Sequence, residues 1–212
     1  MTSPTPRPQR TPRRGALRVV GVSVRAMLVF TLVLGVGYTA AITAVGQLAF
    51  GDSANGALLR DTDGTVVGSS RLGQAFTDAG GEPLPQYFQS RPSAAGDGYD
   101  AASSSGSNLG PESPDLVAAI TERRAGVAAL EGVAESAVPP DAVTASASGL
   151  DPHISPAYAS IQVGRVAAAR GLEPQTVRGL VAQHTQAPDL GYLGETVVNV
   201  VELNRDLDQQ GE

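Results

Sequence analysis

Cysteine and lysine are both missing from this chain of 212 residues, and their absence removes several kinds of chemistry. Without cysteine there is no disulfide, no thiolate nucleophile and no cysteine-ligated zinc site. Without lysine, a phosphate-binding P-loop, a Schiff base and the Ser-x-x-Lys acylation motif are excluded as well. Tryptophan is absent and aromatic residues make up only 4% of the chain, so small aliphatic side chains must fill any core.

Charge is distributed unevenly along the chain. Six arginines precede the first acidic residue, Asp52, whereas the part beyond residue 50 carries nine arginines and 21 acidic residues, a net charge of −12. This pattern indicates a basic N-terminal end followed by an acidic globular part. We predict no nucleic-acid partner.

One long stretch, residues 26–50, contains no charged residue. As an α-helix it would extend about 37 Å, enough to cross a hydrocarbon core of about 30 Å with some tilt. A cleavable signal peptide is the alternative, because Ala49 and Gly51 suit a cleavage site, but the apolar stretch is longer than such peptides use. We therefore predict a single-pass protein of the cell membrane.

The arginines predict how this span is oriented. Cytoplasmic flanks of membrane helices carry an excess of arginine and lysine. We therefore expect residues 1–25 to form a cytoplasmic basic tail, 26–50 the transmembrane helix, and 51–212 a domain outside the cell.

Small residues recur along one face of the predicted span. Gly37, Ala41 and Ala44 have the i, i+4, i+7 spacing of a single helix face. Such a face lets a second helix approach closely, which predicts packing against a partner. The alternative is that these residues are simply common in membrane helices.

The acidic part is predicted to form a small α+β domain. Residues 57–70 place apolar stretches on both sides of Asp63-Gly64, as in a β-hairpin, and residues 79–114 resemble a long loop region with short helices at most. The other expected elements are helices that begin at Ser113-Pro114, Ser155-Pro156 and Pro174, a strand over residues 196–201, and a short helical C-terminus.

No catalytic residue and no metal site is predicted. The chain's two histidines, His153 and His184, have no spacing relation that would suggest shared metal ligation, and we expect His153 to lie in a turn and to hydrogen-bond the backbone. A membrane-anchored hydrolase built on a Ser–His–acid set remains an alternative, although no G-x-S-x-G motif is present. A free binding module is a further alternative.

The segment Ser103–Pro111, SSSGSNLGP, could bind a phosphate through backbone amides and hydroxyls, or it could be a surface loop that docks on a partner. Docking is favoured because the chain has no lysine and no basic cluster near this segment, so Arg91 alone would have to neutralise the charge of a phosphate. Arg91 itself could hold a carboxylate or another anion, or it could tie down the long loop.

Three long segments resemble one known family, the C subunits of Kdp-type potassium-transporting ATPases. These segments are YFQSRPSAAGDGYDAASSSGSNLGP at 87–111, TASASGLDPHISPAYASIQVGRVAAARGL at 144–172, and HTQAPDLGYLGETVVNVVELNRDL at 184–207. They occur in the family's order behind one basic-flanked N-terminal span, and the resemblance covers nearly all of the chain from residue 26 onward.

The resemblance implies an accessory subunit of an ATP-driven pump for high-affinity potassium uptake. The implied partners are a channel-like subunit that selects potassium and a P-type ATPase subunit that is phosphorylated from ATP. The family's C subunit is needed for assembly and has been viewed as a catalytic chaperone that raises the affinity of the ATPase subunit for ATP. On that view the loop with Ser105, Gly106, Ser107 and Asn108 would touch nucleotide.

The predicted orientation places this loop outside the cell, where ATP is scarce. We therefore expect ATP to act through the complex, and we keep Ser105, Gly106, Ser107 and Asn108 as a candidate nucleotide or docking loop. The candidate partner-packing residues are Gly37, Ala41, Ala44, Arg91 and His153.

Overall fold

The computed structural model describes residues 13–210, so residues 1–12 of the predicted basic tail and the last two residues lie outside it. The chain divides into a helical unit that extends to Asn55 and a globular unit that begins at Gly56. The predicted fold class is confirmed, since one long apolar helix precedes a small domain of helices and strands.

The helical unit is dominated by one continuous helix. It comprises α1 (Arg13–Phe30), a π-helical segment (Thr31–Tyr38) and α2 (Thr39–Ala49), and a single turn, α3 (Gly51–Ala54), follows. Gly15–Ala49 has a mean hydropathy of 2.2 and is the one candidate membrane span among residues 13–210. The helix begins well before residue 26 because no proline interrupts the sequence between residues 13 and 49.

The globular unit opens with the predicted hairpin. Strand β1 (Leu58–Arg60) pairs antiparallel with β2 (Val66–Ser69), and Asp63 and Gly64 lie in the connecting turn. Residues 70–113 then form the expected long loop region, whose helical content is a 3₁₀ turn at Ala101–Ser103.

Three helices begin where the sequence predicts. They are α4 (Pro114–Glu131), α5 (Pro156–Arg170) and α6 (Pro174–Gln183). Each has proline in its first turn, where the missing N–H costs no hydrogen bond. Gly132 and Gly171 end α4 and α5 at φ values of 66° and 65°, a left-handed conformation that favours glycine.

A short antiparallel sheet packs beside these helices. Its strands are β3 (His153–Ile154), β4 (Thr185–Gln186) and β5 (Val197–Asn199), in the order β3-β5-β4, and α7 (Val200–Gln209) follows β5 directly. The core lies between the sheet, α5, α6 and α7, and its fully buried large side chains include Phe88, Ile154, Val166, Val198, Leu203 and Leu207.

The predicted strand over residues 196–201 is too long. Strand β5 stops at Asn199, whose side chain accepts hydrogen bonds from the backbone amides of Val201 and Glu202 and so caps α7. An asparagine in this position starts a helix even when β-branched residues follow.

Candidate functional site

Two of the predicted partner-packing residues, Arg91 and His153, meet at one carboxylate. The guanidinium Nη1 of Arg91 lies 3.4 Å from Asp151 Oδ2, and His153 Nδ1 lies 3.1 Å from Asp151 Oδ1. The backbone N–H of His153 also donates to Asp151 Oδ1. Burial raises the pKa of Asp151, but the hydrogen bonds from His153 and the two neighbouring cationic groups outweigh it and hold the pKa below its ordinary value.

The expected backbone contact of His153 is therefore wrong, because its ring bonds the Asp151 carboxylate and the residue lies in β3 rather than in a turn. The candidate hydrolase also lacks an assembled triad. Within the described residues, no serine hydroxyl is hydrogen-bonded to the His153 ring. His184 lies far from this cluster in sequence and bonds Asp206 Oδ2 at 2.9 Å.

Loop residues hold Arg91 in place from the other side. The hydroxyl of Tyr99 donates to the backbone carbonyl of Arg91 at 2.7 Å, and the Ser93 hydroxyl donates to the carbonyl of Gly149 at the same distance. Burial raises the pKa of Tyr99 to about 12, so the phenol stays protonated and can donate. These contacts tie the segment around residues 91–99 to the turn at 144–151. This agrees with the alternative in which Arg91 holds the long loop in place.

A cavity of about 460 Å³ opens beside this cluster. Arg91 comes from the first of the three family-like segments, Asp151 and His153 from the second, and residues 195–197 from the third. Asp141 also lines the cavity and accepts hydrogen bonds from the backbone amide and hydroxyl of Ser155. The three segments therefore converge on one concave surface, which carries more acidic than basic groups.

The serine-rich loop lies against the turn at residues 146–149. The Ser105 amide donates to the carbonyl of Ser148 at 3.0 Å, and a side chain at Gly106 would come within 2.8 Å of the Ala147 carbonyl oxygen. Ser105, Ser107 and Asn108 are exposed, and Asn108 has a φ of 52°. The fold thus fixes the backbone of the loop and leaves its side chains at the surface.

Two groups that could bind a phosphate here are already engaged within the fold. The Ser105 amide already has a backbone acceptor, so it is unavailable to an anion. Arg91, the basic residue considered for an anion here, is paired with Asp151 and lies near the carbonyls of Thr144 and Ala145. A site for nucleotide phosphates needs free amides and positive charge, and the segment Ser103–Pro111 carries no basic residue of its own.

The small residues of the long apolar helix are exposed in the isolated chain. Gly37 lies in the π-helical segment, whereas Ala41 and Ala44 lie in α2. All three therefore remain available to a partner helix, and their role stays a prediction.

Sequence reasoning missed two buried amides that hold the segment Tyr87–Gln89. Asn204 accepts from the backbone N–H of Phe88 and donates to its carbonyl, both at 2.9 Å. Gln162 does the same for Gln89, at 2.6 and 3.1 Å. The signal was available, since each is a polar residue at a helix position, four after Val200 or Tyr158, where the buried face continues.

Two arginines of α5 act with these amides to hold the same segment, and we call the four side chains the clamp. Arg165 pairs with Glu131, whose side chain is 0% exposed, and also donates to the carbonyls of Pro85 and Tyr87. Arg170 donates to the carbonyl of Gln86 and lies 4.9 Å above the Tyr87 ring. The family-like segment that begins at Tyr87 is thus held by side chains rather than by a neighbouring strand.

Comparisons with known proteins agree with the earlier resemblance. The family model for "K+-transporting ATPase, c chain" matches residues 20–209. A protein from Kineococcus radiotolerans named "Potassium-transporting ATPase KdpC subunit" is 54% identical over 89% of this chain and 92% of its own length. Proteins of the same name from Mycobacterium bovis and Caulobacter vibrioides are 52% and 50% identical over 86% of this chain, and 94% and 89% of their own lengths are covered.

Proposed function

The chain belongs to the c-chain family of K+-transporting ATPases, and from this we propose that it is a membrane-anchored accessory subunit of an ATP-driven potassium pump. The observation that carries the proposal is the extent of the match. Residues 20–209 include almost the whole apolar helix as well as the globular unit, so the relatives share both parts.

An accessory role also agrees with the chain's own physical features. A single candidate span in residues 13–210 cannot enclose an ion path. The described residues contain no group of histidine and acidic side chains arranged to hold a metal ion. On this proposal, ion translocation and ATP hydrolysis take place on other subunits.

We infer that the partners are a channel-like subunit that selects potassium and a P-type ATPase subunit. The exposed small residues of the helix, Gly37, Ala41 and Ala44, support a helix-to-helix contact within the membrane. The arginines before residue 26 support a cytoplasmic N-terminus, which places the globular unit outside the cell.

Any effect on ATP affinity is then indirect. The engaged amide of Ser105 and the paired guanidinium of Arg91 support a docking role for the serine-rich loop in place of phosphate binding. On this proposal the subunit raises the ATP affinity of the ATPase subunit by stabilising the assembled pump, without touching nucleotide.

Co-purification tests the proposed function. The full chain, tagged and produced at its natural level, should recover two larger membrane proteins, and its deletion should abolish growth at limiting potassium. Recovery of the chain alone from mild detergent, with unchanged growth of the deletion strain, contradicts the proposal.

Photo-crosslinking with an azido-ATP analogue tests the indirect role. We expect the label on the large ATPase subunit and none on peptides that contain residues 104–109. A pump complex prepared without this chain should need a higher ATP concentration for half-maximal ATP hydrolysis than the complete complex. A labelled peptide from this loop would show that the nucleotide contact is direct.

A further inference from the structure

An exposed apolar turn, which we call the apolar tip (Pro188–Gly194), stands out on the globular unit. Leu190, Tyr192 and Leu193 expose 83%, 73% and 51% of their surface, whereas most other large apolar side chains of this unit are buried or half-buried. A leucine–tyrosine–leucine group at this exposure is typical of a surface that is covered in a complex.

Backbone hydrogen bonds hold the apolar tip in one conformation. The amide of Asp189 donates to the carbonyl of Leu193 and the amide of Leu193 donates back to Asp189, both at 2.9 Å. The amide of Gly191 donates to Pro188, which closes the turn. None of these bonds uses a side chain of the three apolar residues, so the turn presents these side chains without depending on them.

Leu190 occupies a backbone conformation that suits another residue better. Its φ is 53°, in the left-handed region where a branched side chain is disfavoured and where glycine or asparagine is common. Its side chain gains little from burial within the described structure. A strained and exposed leucine is therefore explained by a contact outside this chain rather than by the stability of the domain.

A lipid surface is a poor match for the apolar tip. The exposed acids Asp189 and Glu195 lie within the tip and directly after it, and no arginine occurs between residues 179 and 204. Peripheral membrane contacts usually combine apolar residues with basic ones that attract anionic headgroups. The acidic flanks instead complement a basic rim around an apolar pocket.

A second copy of this chain is also a poor match. Stable interfaces bury about 800 Å² per partner, and two leucines and one tyrosine fall well short of that area. A small apolar knob suffices where other contacts already hold two proteins together, as the membrane helix would within the pump.

We propose that the apolar tip inserts into an apolar pocket with a basic rim on another subunit of the pump, on the membrane side where the globular unit lies. This inference rests on the proposed function, since it needs the multisubunit complex. Tyr192 and Leu190 act as anchors, and Asp189 and Glu195 meet the rim.

Variants of the apolar tip test the inference, because they should impair assembly of the complex without lowering the stability of the chain. Leu190→Asn removes the apolar anchor and places a residue suited to φ 53°, so the melting temperature of the purified full chain should rise or stay unchanged. In the complex, Leu190→Asn combined with Tyr192→Ser should lower recovery of the chain with the larger subunits by about tenfold or more, the usual effect of losing buried anchors.

Val117→Gln is the matched control, because Val117 is 55% exposed on α4 and its replacement also removes apolar surface. It should leave recovery unchanged. Equal recovery of the tip double variant and the wild-type chain would overturn the inference. If the wild-type chain itself recovers no partner, the proposed function fails instead, so the two failures are distinguishable.

A photo-crosslinking residue at position 192 identifies the occupant in intact membranes. We expect a crosslink to one of the larger pump subunits. Crosslinks to phospholipid, or to a second copy of this chain, would each contradict the inference.

Discussion

Single buried amides decide the conformation of the family-like segment that starts at Tyr87. Asn204 and Gln162 supply the donors and acceptors that a neighbouring strand would otherwise supply to Phe88 and Gln89. Buried backbone groups without partners cost free energy, so these two side chains stabilise an otherwise irregular stretch.

Asn204→Leu tests this role. The leucine keeps an apolar side chain of similar size but leaves the buried N–H and carbonyl of Phe88 unpaired. We expect the free energy of unfolding of the full chain in detergent to fall by about 2–4 kcal/mol, measured by urea titration. Gln183→Leu, at an exposed position, should change the value by less than about 0.5 kcal/mol; equal effects of both variants would disprove the clamp.

The contacts of Asp151 predict how the stability of the fold depends on pH in the acid range. Its pKa is held below the ordinary value of 3.8, so its contribution to stability is present above pH 3.8 and is lost as the pH falls through the lower folded-state value. Asp151→Asn should lower the free energy of unfolding at pH 7 by roughly 1 kcal/mol, because the pair with Arg91 is partly exposed.

The difference between wild-type protein and Asp151→Asn should shrink as the pH falls below 3.8. Unfolding curves collected from pH 7 down to about pH 3 measure it. A difference that stays constant over this range would show that the carboxylate is not held by these partners.

At the scale of single residues, sequence reasoning selected Arg91 and His153 as candidates but did not predict that the Asp151 carboxylate joins them. Asp151 precedes His153 by two residues and lies in the same family-like segment, 144–172. Its contact with Arg91, however, spans 60 positions of the chain. Local patterns do not report such a distance, and so the expectation for His153 was limited to its own backbone.

At the level of elements, prolines and glycines were the most reliable signals. Pro114, Pro156 and Pro174 mark helix starts, and Gly132 and Gly171 mark helix ends, because these residues act through local backbone geometry. Strands β3 and β4 were missed because two residues cannot show an alternating pattern, and their pairing depends on β5.

One prediction at this level concerns the small-residue face of the long apolar helix. Gly37→Leu with Ala41→Leu adds bulk to the small-residue face and should reduce recovery of the partner subunits several-fold, because close helix approach is blocked. The measurement is co-purification from mild detergent.

Thr39→Leu with Thr43→Leu is the matched control for the helix. These positions lie on the side of α2 opposite Ala41, at about 100° per residue, and each replacement also enlarges the side chain, although by less than at Gly37 and Ala41. If the control pair impairs assembly as much as Gly37→Leu with Ala41→Leu does, the small face has no special role.

For the whole molecule, orientation is the property on which the other assignments depend. The arginines before residue 26 predict that protease added to intact spheroplasts cleaves the globular unit and leaves an N-terminal tag protected. Immunoblotting of both ends measures this. Protection of the globular unit, with cleavage only after lysis, would place the serine-rich loop on the ATP side of the membrane.

The α+β class and the long apolar helix could be predicted because they depend on composition and local periodicity. The cavity at Arg91, Asp151 and residues 195–197 could not, because it forms only when three distant segments fold together. The apolar tip was equally hidden, since in the sequence LGYL has the appearance of an ordinary core stretch.

The contact between Phe88 and Asn204 also constrains how the protein is made. The two residues are 116 positions apart, so nearly the entire polypeptide must emerge from the ribosome before the centre of the domain can close. A stop codon between positions 88 and 204 therefore yields a product in which the backbone N–H and carbonyl of Phe88 have lost their partner. We expect cellular proteases to degrade such a product.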